Sequence, residues 1–256
     1  MNNNQHSFEG KNIVTGYDKK IIIDGVDITI PSNKISVIIG SNGCGKSTLL
    51  KTLARLIKPI SGDIVIDGKK VTSMPSKQLA KVLGLLPQSP VVPEGITVWD
   101  LVSRGRFPYQ TMLKSMSKED FEAVEEALEI MGITDLANRC VDELSGGQRQ
   151  RVGIAMAMTF QPKLLIADEP TSALDVTTQS QIVKEMMELR DKYDTSIMIV
   201  THNLAVAVYM ADKIIVMKDG EVVDRGTRDK ILNNTTSDYT KRLLASVPTW
   251  REEQHA

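Results

Sequence analysis

An α/β fold, a mixed sheet covered by helices, is predicted by three features of the sequence. Short apolar runs, "KISVII" (34–39), "KLLIAD" (163–168) and "SIMIV" (196–200), have the length and composition of buried strands. Segments of helical period lie between such runs. Gly- and Asp-bearing turns punctuate both kinds. Strands that alternate with helices in this way belong to a parallel or mixed sheet with both faces covered.

Taken in order, "IIIDGVDITI" (21–30) mixes an apolar run with alternation and breaks at Pro31-Ser32-Asn33, as a strand entering a turn does. "KISVII" follows as a buried strand and leads into the helix "STLLKTLARLI". "DIVIDGKKV" (63–71) reads as a hairpin about Asp67-Gly68, and "KVLGLLPQ" (81–88) as a further short buried strand ending at Gln88. From about 97 to 160 the period is helical. There Phe121, Val124, Leu128 and Met131 form one apolar stripe, and Ser117 with Asp120 makes a capping box at its start. Beyond it come "KLLIAD", a helix over about 175–192, "SIMIV" and another helix. "KIIVM" and "EVVDRG" flank the Asp219-Gly220 turn and give the sheet an antiparallel edge.

The expected organisation is a single domain over 1–256. Its α/β core covers about 8–88 and 161–235, an all-helical lobe is inserted at about 89–160, and a helix at about 236–246 closes the chain.

With 256 residues, 41% of them hydrophobic, the chain can bury a sizeable core. Thirty-one Lys and Arg face 32 Asp and Glu, a net charge of −1, so nothing in the charge points to nucleic acid or an anionic membrane. Cys44 and Cys140 stand far apart in no metal-like spacing, as thiols of a reducing cytosol do. "MNNNQHSFEG" has no apolar run, so no secretory signal is expected. No apolar stretch reaches the roughly 20 residues of a membrane span. A soluble cytoplasmic chain is expected, one whose role at a membrane needs a spanning partner.

The chemistry begins at Gly40-Ser41-Asn42-Gly43-Cys44-Gly45-Lys46-Ser47, which fits G-x-x-x-x-G-K-[ST] and continues into Thr48. It follows a buried strand and opens a helix, the context that motif needs. Its glycines let backbone N–H groups close around phosphate oxygens, Lys46 reaches β/γ-phosphates, and the Ser47 hydroxyl suits Mg²⁺. A nucleoside triphosphate is the expected ligand. Asp168 ends the strand "KLLIAD" and can hold Mg²⁺ through its hydration shell. Glu169 follows on an expected extended backbone, pointing the other way, where it could polarise an attacking water. His202 lies just beyond "SIMIV", where ligands gather in α/β sheets. Gln88 also ends a strand and could coordinate Mg²⁺ or the attacking water. A second anion-binding layout appears in "DELSGGQRQRV", where Ser145, Gly146 and Gly147 precede a helix.

The order of these motifs, with "LSGGQ" (144–148), "LLIADE" (164–169) and "SALD" (172–175), resembles the ATP-binding cassette (ABC) family of transporter ATPases over about 11–246. The resemblance implies a P-loop NTPase core with the helical lobe inserted between Gln88 and the signature. It implies ATP and Mg²⁺, the cation held by Ser47, Gln88 and Asp168. It makes Glu169 the catalytic base, His202 the sensor of the γ-phosphate, and Gln88 the link to the helical lobe. Tyr17 would stack on adenine, and Asp175 would cross to a second subunit. Ser145, Gly146, Gly147 and Gln148 would face the ATP of that second subunit, so a dimer, of two identical chains in the simplest case, is implied. The implied partners are integral-membrane permease subunits, with an extracytoplasmic substrate-binding protein acting through them, and the implied place is the cytoplasmic face of the membrane. A non-transport cassette ATPase of DNA repair or translation fits less well, because no long coiled coil and no second motif set is present. A small-molecule kinase has no use for "LSGGQ".

Within the family the sequence resembles two branches. "GSNGCGKSTLLKTLARLIKPISGDIVIDG", "LPQSPVVPEGITVWDLVSRGRFPYQ" and "LSGGQRQRV" are similar to importers of iron–siderophores, haem and cobalamin. In the last third, "IADEPTSALDVTTQSQIV", "IVTHNLAVAVYMADKIIVMKDGEVVDRG" and "SDYTKRLLASVP" are similar to dipeptide, oligopeptide and nickel importers. In the siderophore branch an aromatic is expected near Gly153. The helical lobe and the Gln88 loop are what meet the permease in this family, and they carry the siderophore character. The resemblance therefore implies uptake of a metal chelate, an iron–siderophore, ahead of nickel or short peptides.

Overall fold

The computed structural model describes residues 7–18, 20–88, 92–110 and 115–246. The N-terminal residues read for a signal (1–6), the start of the expected lobe (89–91) and the end of "SDYTKRLLASVP" lie outside them. In chain order come β1 (Phe8–Tyr17), β2 (Lys20–Ile30), β3 (Ile35–Ile39), α1 (Lys46–Leu53), β4 (Ser61–Ile66) and β5 (Lys69–Lys70). Next are α2 (Ser76–Leu79), β6 (Leu83–Leu86), α3 (Val98–Ser103), α4 (Lys118–Ile130), α5 (Gly146–Met158), β7 (Leu164–Asp168) and α6 (Val176–Tyr193). Then follow β8 (Ser196–Val200), α7 (Leu204–Met210), β9 (Lys213–Lys218), β10 (Glu221–Thr227), α8 (Arg228–Asn234) and α9 (Asp238–Leu244). The chain packs as two compact units, Met1–Met74 with Ser196–Ala256, and Pro75–Thr195.

The first unit holds two sheets. In one, β2, β1, β4 and β5 run antiparallel in that order. In the other, β3 lies between β8 and β9 and parallel to both, and β10 pairs antiparallel with β9 at the edge. Every residue of β3 and β8 is buried, the reason both are short continuous runs rather than alternating ones. Each fully buried Ile or Val there contributes about 1.5–3 kcal/mol of transfer free energy. Asp67 (φ 48°) and Gly68 (φ 75°) both take positive φ, as a two-residue turn matched to strand twist requires. β1 has no sequence signature because register shifts after Gly10, Ile13 and Thr15 break its alternation.

Leu49, Leu50 and Leu53 bury one face of α1. Thr15 and Thr52 join β1 to that helix through a buried hydroxyl pair at 2.9 Å. Thr52 Oγ1 donates to Thr48 O at 2.8 Å, so its single proton is spent and Thr15 is the donor between them.

In the second unit β6 and β7 pair in parallel, Leu83 opposite Leu164 through Leu86 opposite Ala167. Between them in sequence the described residues form helices and 3₁₀ turns, with an isolated bridge from Thr97 to Cys140. The capping box of α4 forms as predicted. Asp120 Oδ2 accepts from Ser117 N–H at 3.0 Å and Ser117 Oγ from Asp120 N–H at 3.3 Å. Val124, Leu128 and Met131 of the apolar stripe are buried. Phe121 departs from it, at 45% exposed, because it sits one turn nearer the helix end and stacks instead on Trp99, ring centroids 6.0 Å apart. Arg106 pins this region, donating from Nε to Asp120 Oδ1 at 2.7 Å and from Nη1 to Thr159 O at 2.8 Å. In α5 every residue from Val152 to Met158 except Met156 is buried, so that half of the helix has no amphipathic pattern to read. Gly153 is tight: a Cβ there would lie 3.0 Å from Leu86 Cδ1, so an aromatic cannot enter without displacing Leu86. Among the described residues no helix is long and apolar enough to cross a membrane.

Candidate functional site

In the first unit the buried strand β3 delivers the chain to Gly40, and the loop 40–45 turns it into α1. Gly45 caps α1 in the left-handed region (φ 100°), and a Cβ on it would lie 2.6 Å from Ile23 Cδ1. A Cβ on Gly40 would lie 2.2 Å from Met217 O. These positions admit glycine for want of space. Lys46 is only 5% exposed, and its ammonium is satisfied by Gly40 O and Ser41 O, both at 2.9 Å. Cys44 is buried, its N–H donating to Ser41 O at 3.3 Å and its carbonyl accepting from Gly220 N–H at 3.0 Å. Asn42 and Gly43 are exposed, and Ser47 and Thr48 stand half-buried in the first turn of α1. The α1 N-terminus adds its dipole to the loop's N–H groups, an arrangement suited to phosphate.

His202 follows β8, which is parallel and adjacent to β3, so His202 and the loop share the C-terminal edge of one sheet. Thr201 N–H donates to Ile38 O at 3.1 Å and fixes that junction. His202 itself is exposed, and Asn203 caps α7. Tyr17 ends β1 opposite Lys20, its side chain 46% exposed.

In the second unit Asp168 closes β7 and is 7% exposed, while Glu169 turns into the following loop. Glu169 does not continue the strand as expected. Its φ is 49°, a left-handed residue in a turn closed by Ser172 N–H donating to Glu169 O at 3.1 Å. The structure brings Gln88 and Glu169 together: Gln88 Nε2 donates to Glu169 Oε2 at 3.1 Å. Ser145 caps α5 in a capping box with Gln148. Ser145 Oγ accepts from Gln148 N–H at 3.3 Å and Gln148 Oε1 from Ser145 N–H at 3.0 Å. Gln148 therefore has a local task within its own chain. Asp175 caps α6, accepting from Thr178 N–H at 2.9 Å and Thr178 Oγ1 at 2.7 Å, and the first of these bonds holds its carboxyl below the usual range. The starts of α5 and α6 abut, since a Cβ on Gly147 would lie 2.6 Å from Thr178 Cγ2.

Two features had no motif to announce them. One is Tyr239, whose hydroxyl accepts from Ser41 N–H at 3.1 Å across 198 positions of sequence. The other is a cavity of about 390 Å³ within the second unit, lined by Gln88, Leu101, Val141, Gln150, Met156 and Leu174 among others. Gln150 Nε2 is buried without a hydrogen-bond partner among the described residues.

No group of three or more His, Cys, Asp or Glu able to hold a metal occurs among the described residues. The Ser47 hydroxyl in the first unit, and the Asp168 carboxylate and Gln88 amide oxygen in the second, are each hard oxygen donors of the kind Mg²⁺ takes. The ammonium and backbone N–H groups for phosphate within the first unit, following a buried strand and opening a helix, define the class as a nucleoside triphosphatase of the P-loop kind.

The family model described as ABC transporter matches residues 23–172. The chain is 46% identical over 217 residues to the probable siderophore transport system ATP-binding protein YusV of Bacillus subtilis (strain 168), covering 85% of this chain and 79% of that protein. It is 43% identical over 245 residues to the petrobactin import ATP-binding protein FpuD of Bacillus anthracis, covering 96% and 90%. The dimeric structure of MJ0796, a bacterial ABC transporter cassette, matches with a TM-score of 0.75 at 30% identity over 86% of this chain and 98% of that one. The chain belongs to the ABC transporter family, as one of its ATPase cassettes.

Proposed function

We propose that this chain hydrolyses ATP to power uptake of an iron–siderophore through a separate membrane permease, bound at its cytoplasmic face. The observation that carries the coupling is Gln88, which lines the 390 Å³ cavity and also donates to Glu169 Oε2. A permease segment filling that cavity would act through Gln88 on the carboxylate that activates water. The siderophore and petrobactin importers' ATP-binding proteins to which the chain is 46% and 43% identical support the choice of solute. The second match spans both the N-terminal stretches with siderophore character and much of the last third, which favours this branch over nickel or peptide uptake.

In this reading Lys46 and N–H groups within 42–48 hold the phosphates, and Tyr17 meets the adenine. Ser47, Asp168 and Gln88 would hold Mg²⁺, which supplies charge neutralisation at the phosphates. Glu169 takes a proton from the attacking water, and His202 senses the γ-phosphate. The working unit is a dimer in which each ATP lies between Lys46 of one chain and Ser145, Gly146 and Gly147 of its partner, with Asp175 at the same junction. Closing it brings donors and a helix N-terminus to the charge that hydrolysis develops. Val176, next to Asp175, is 79% exposed, an uncovered apolar side chain suited to that junction. An extracytoplasmic binding protein would deliver the chelate.

The test is uptake of radiolabelled iron–siderophore by cells lacking this chain. Loss of that uptake, restored by the wild type and not by Glu169→Gln, is the expected result. Intact iron uptake with loss of nickel or dipeptide uptake overturns the choice of solute. Co-purification with ribosomes or DNA in place of a permease overturns the importer.

A further inference from the structure

We infer that Tyr239 is a positioning residue for Lys46, acting from the C-terminal helix α9 through the peptide plane between Gly40 and Ser41. The inference rests on the reading of Gly40–Thr48 as the phosphate site.

The hydroxyl of Tyr239 accepts from Ser41 N–H at 3.1 Å. Ser41 N–H and Gly40 C=O belong to one peptide unit, and no cis peptide occurs among the described residues. In a planar trans unit the two groups point in opposite directions, so fixing one fixes the other. Gly40 O is one of the two carbonyls that hold the Lys46 ammonium, at 2.9 Å. Tyr239 and Lys46 therefore grip opposite ends of a single rigid plate. Rotation of that plate would break both bonds at once. It would turn about Gly40, the residue with the least steric resistance to such a flip. Without the hydroxyl, the plate keeps the Lys46 bond at one end and loses its hydrogen bond at the other.

The far end of the device is itself anchored. Thr235 Oγ1 donates to Asp224 Oδ2 of β10, and Ser237 N–H donates to Thr235 Oγ1 at 3.2 Å. Ser237 then caps α9, its Oγ accepting from Thr240 N–H at 3.3 Å. Lys218 Nζ lies 5.6 Å from the centre of the Tyr239 ring. Sheet edge, turn, helix start and ring thus place one oxygen at the phosphate loop.

Tyr239→Phe keeps the ring and removes that oxygen. The expected result is a rise of about three- to tenfold in the Kd of ATP and of ADP, with the Kd of AMP changed less than about twofold, since Lys46 serves the outer phosphates. In a Ser41→Pro background, which has no N–H at position 41, adding Tyr239→Phe should change the ATP affinity less than about twofold. Unchanged ATP affinity in Tyr239→Phe overturns the inference and leaves the phosphate-site reading standing. An equal loss for ATP, ADP and AMP overturns it too, marking a general loosening of the loop. A wild-type chain that fails to bind ATP overturns the phosphate-site reading itself. Titration calorimetry on the purified chain separates these outcomes.

Discussion

Glu169 sits on a backbone that costs energy to hold. A non-glycine residue in the left-handed region carries strain on the order of 1–3 kcal/mol, and it persists where neighbours over-determine it. Here the Ser172 turn and the Gln88 amide do so. Glu169→Gln should lower phosphate release at least about 100-fold, yet keep ATP binding and trap an ATP-bound dimer on size-exclusion chromatography. Turnover near the wild-type rate would remove Glu169 as the base. Asp120 makes a prediction about pH. Burial pushes its carboxyl up, but the Ser117 N–H and the Arg106 guanidinium outweigh this, and the net shift is downward from 3.8. A depressed folded value contributes stability above the usual carboxylate range, lost as pH falls through the lower folded value. Asp120→Asn should therefore destabilise the chain at about pH 7 and less at pH values below the usual carboxylate range, read from denaturant midpoints. An equal deficit at both would show that the charge is not the cause. The residues of both motifs were legible because their chemistry is local. The turn at Glu169 was not, because an acidic residue after a strand extends it or turns according to neighbours three residues on.

The paired starts of α5 and α6 show what a helix-scale reading catches and misses. That a helix starts after Ser145 was legible, while its capping box with Gln148 and the cap that Asp175 gives to α6 emerge from the structure. That the two starts abut is not visible, because Gly147 and Thr178 are distant in the chain and meet only when packed. Gly147→Ala should cost about 1–3 kcal/mol through overpacking against Thr178 Cγ2. Adding Thr178→Ser removes that methyl, keeps the hydroxyl bonded to Asp175, and should recover most of the loss in thermal unfolding. Failure to recover would mean the glycine is needed for another reason. Strand β1 escaped for a different cause, since its bulges erase the period on which strand recognition depends. The short buried strands were easy, each being a run with no polar residue to place.

At the scale of the whole molecule the proposed dimer makes one chain, with its "LSGGQ" stretch, half of a working site. Ser145→Arg should abolish hydrolysis while leaving ATP binding by the monomer intact, measured by phosphate release and calorimetry on the same preparation. Ser145 also caps α5, so unimpaired ATP binding is what assigns the lost turnover to the interface. Loss of both together would count against the dimer.

The order in which the chain is made gives the phosphate loop a history. Its strand β3 is complete by residue 39, yet both its neighbours, β8 and β9, come after residue 195. Cys44 is anchored by the N–H of Gly220, and Gly40 is packed against the carbonyl of Met217. On a ribosome the loop therefore emerges early and stays unsupported through most of synthesis, a long-range closure of the slow kind. A nascent chain halted before residue 220 should not retain nucleotide, although it already carries every residue of the loop. The capacity to bind ATP arrives late, with the turn that locks the loop from behind.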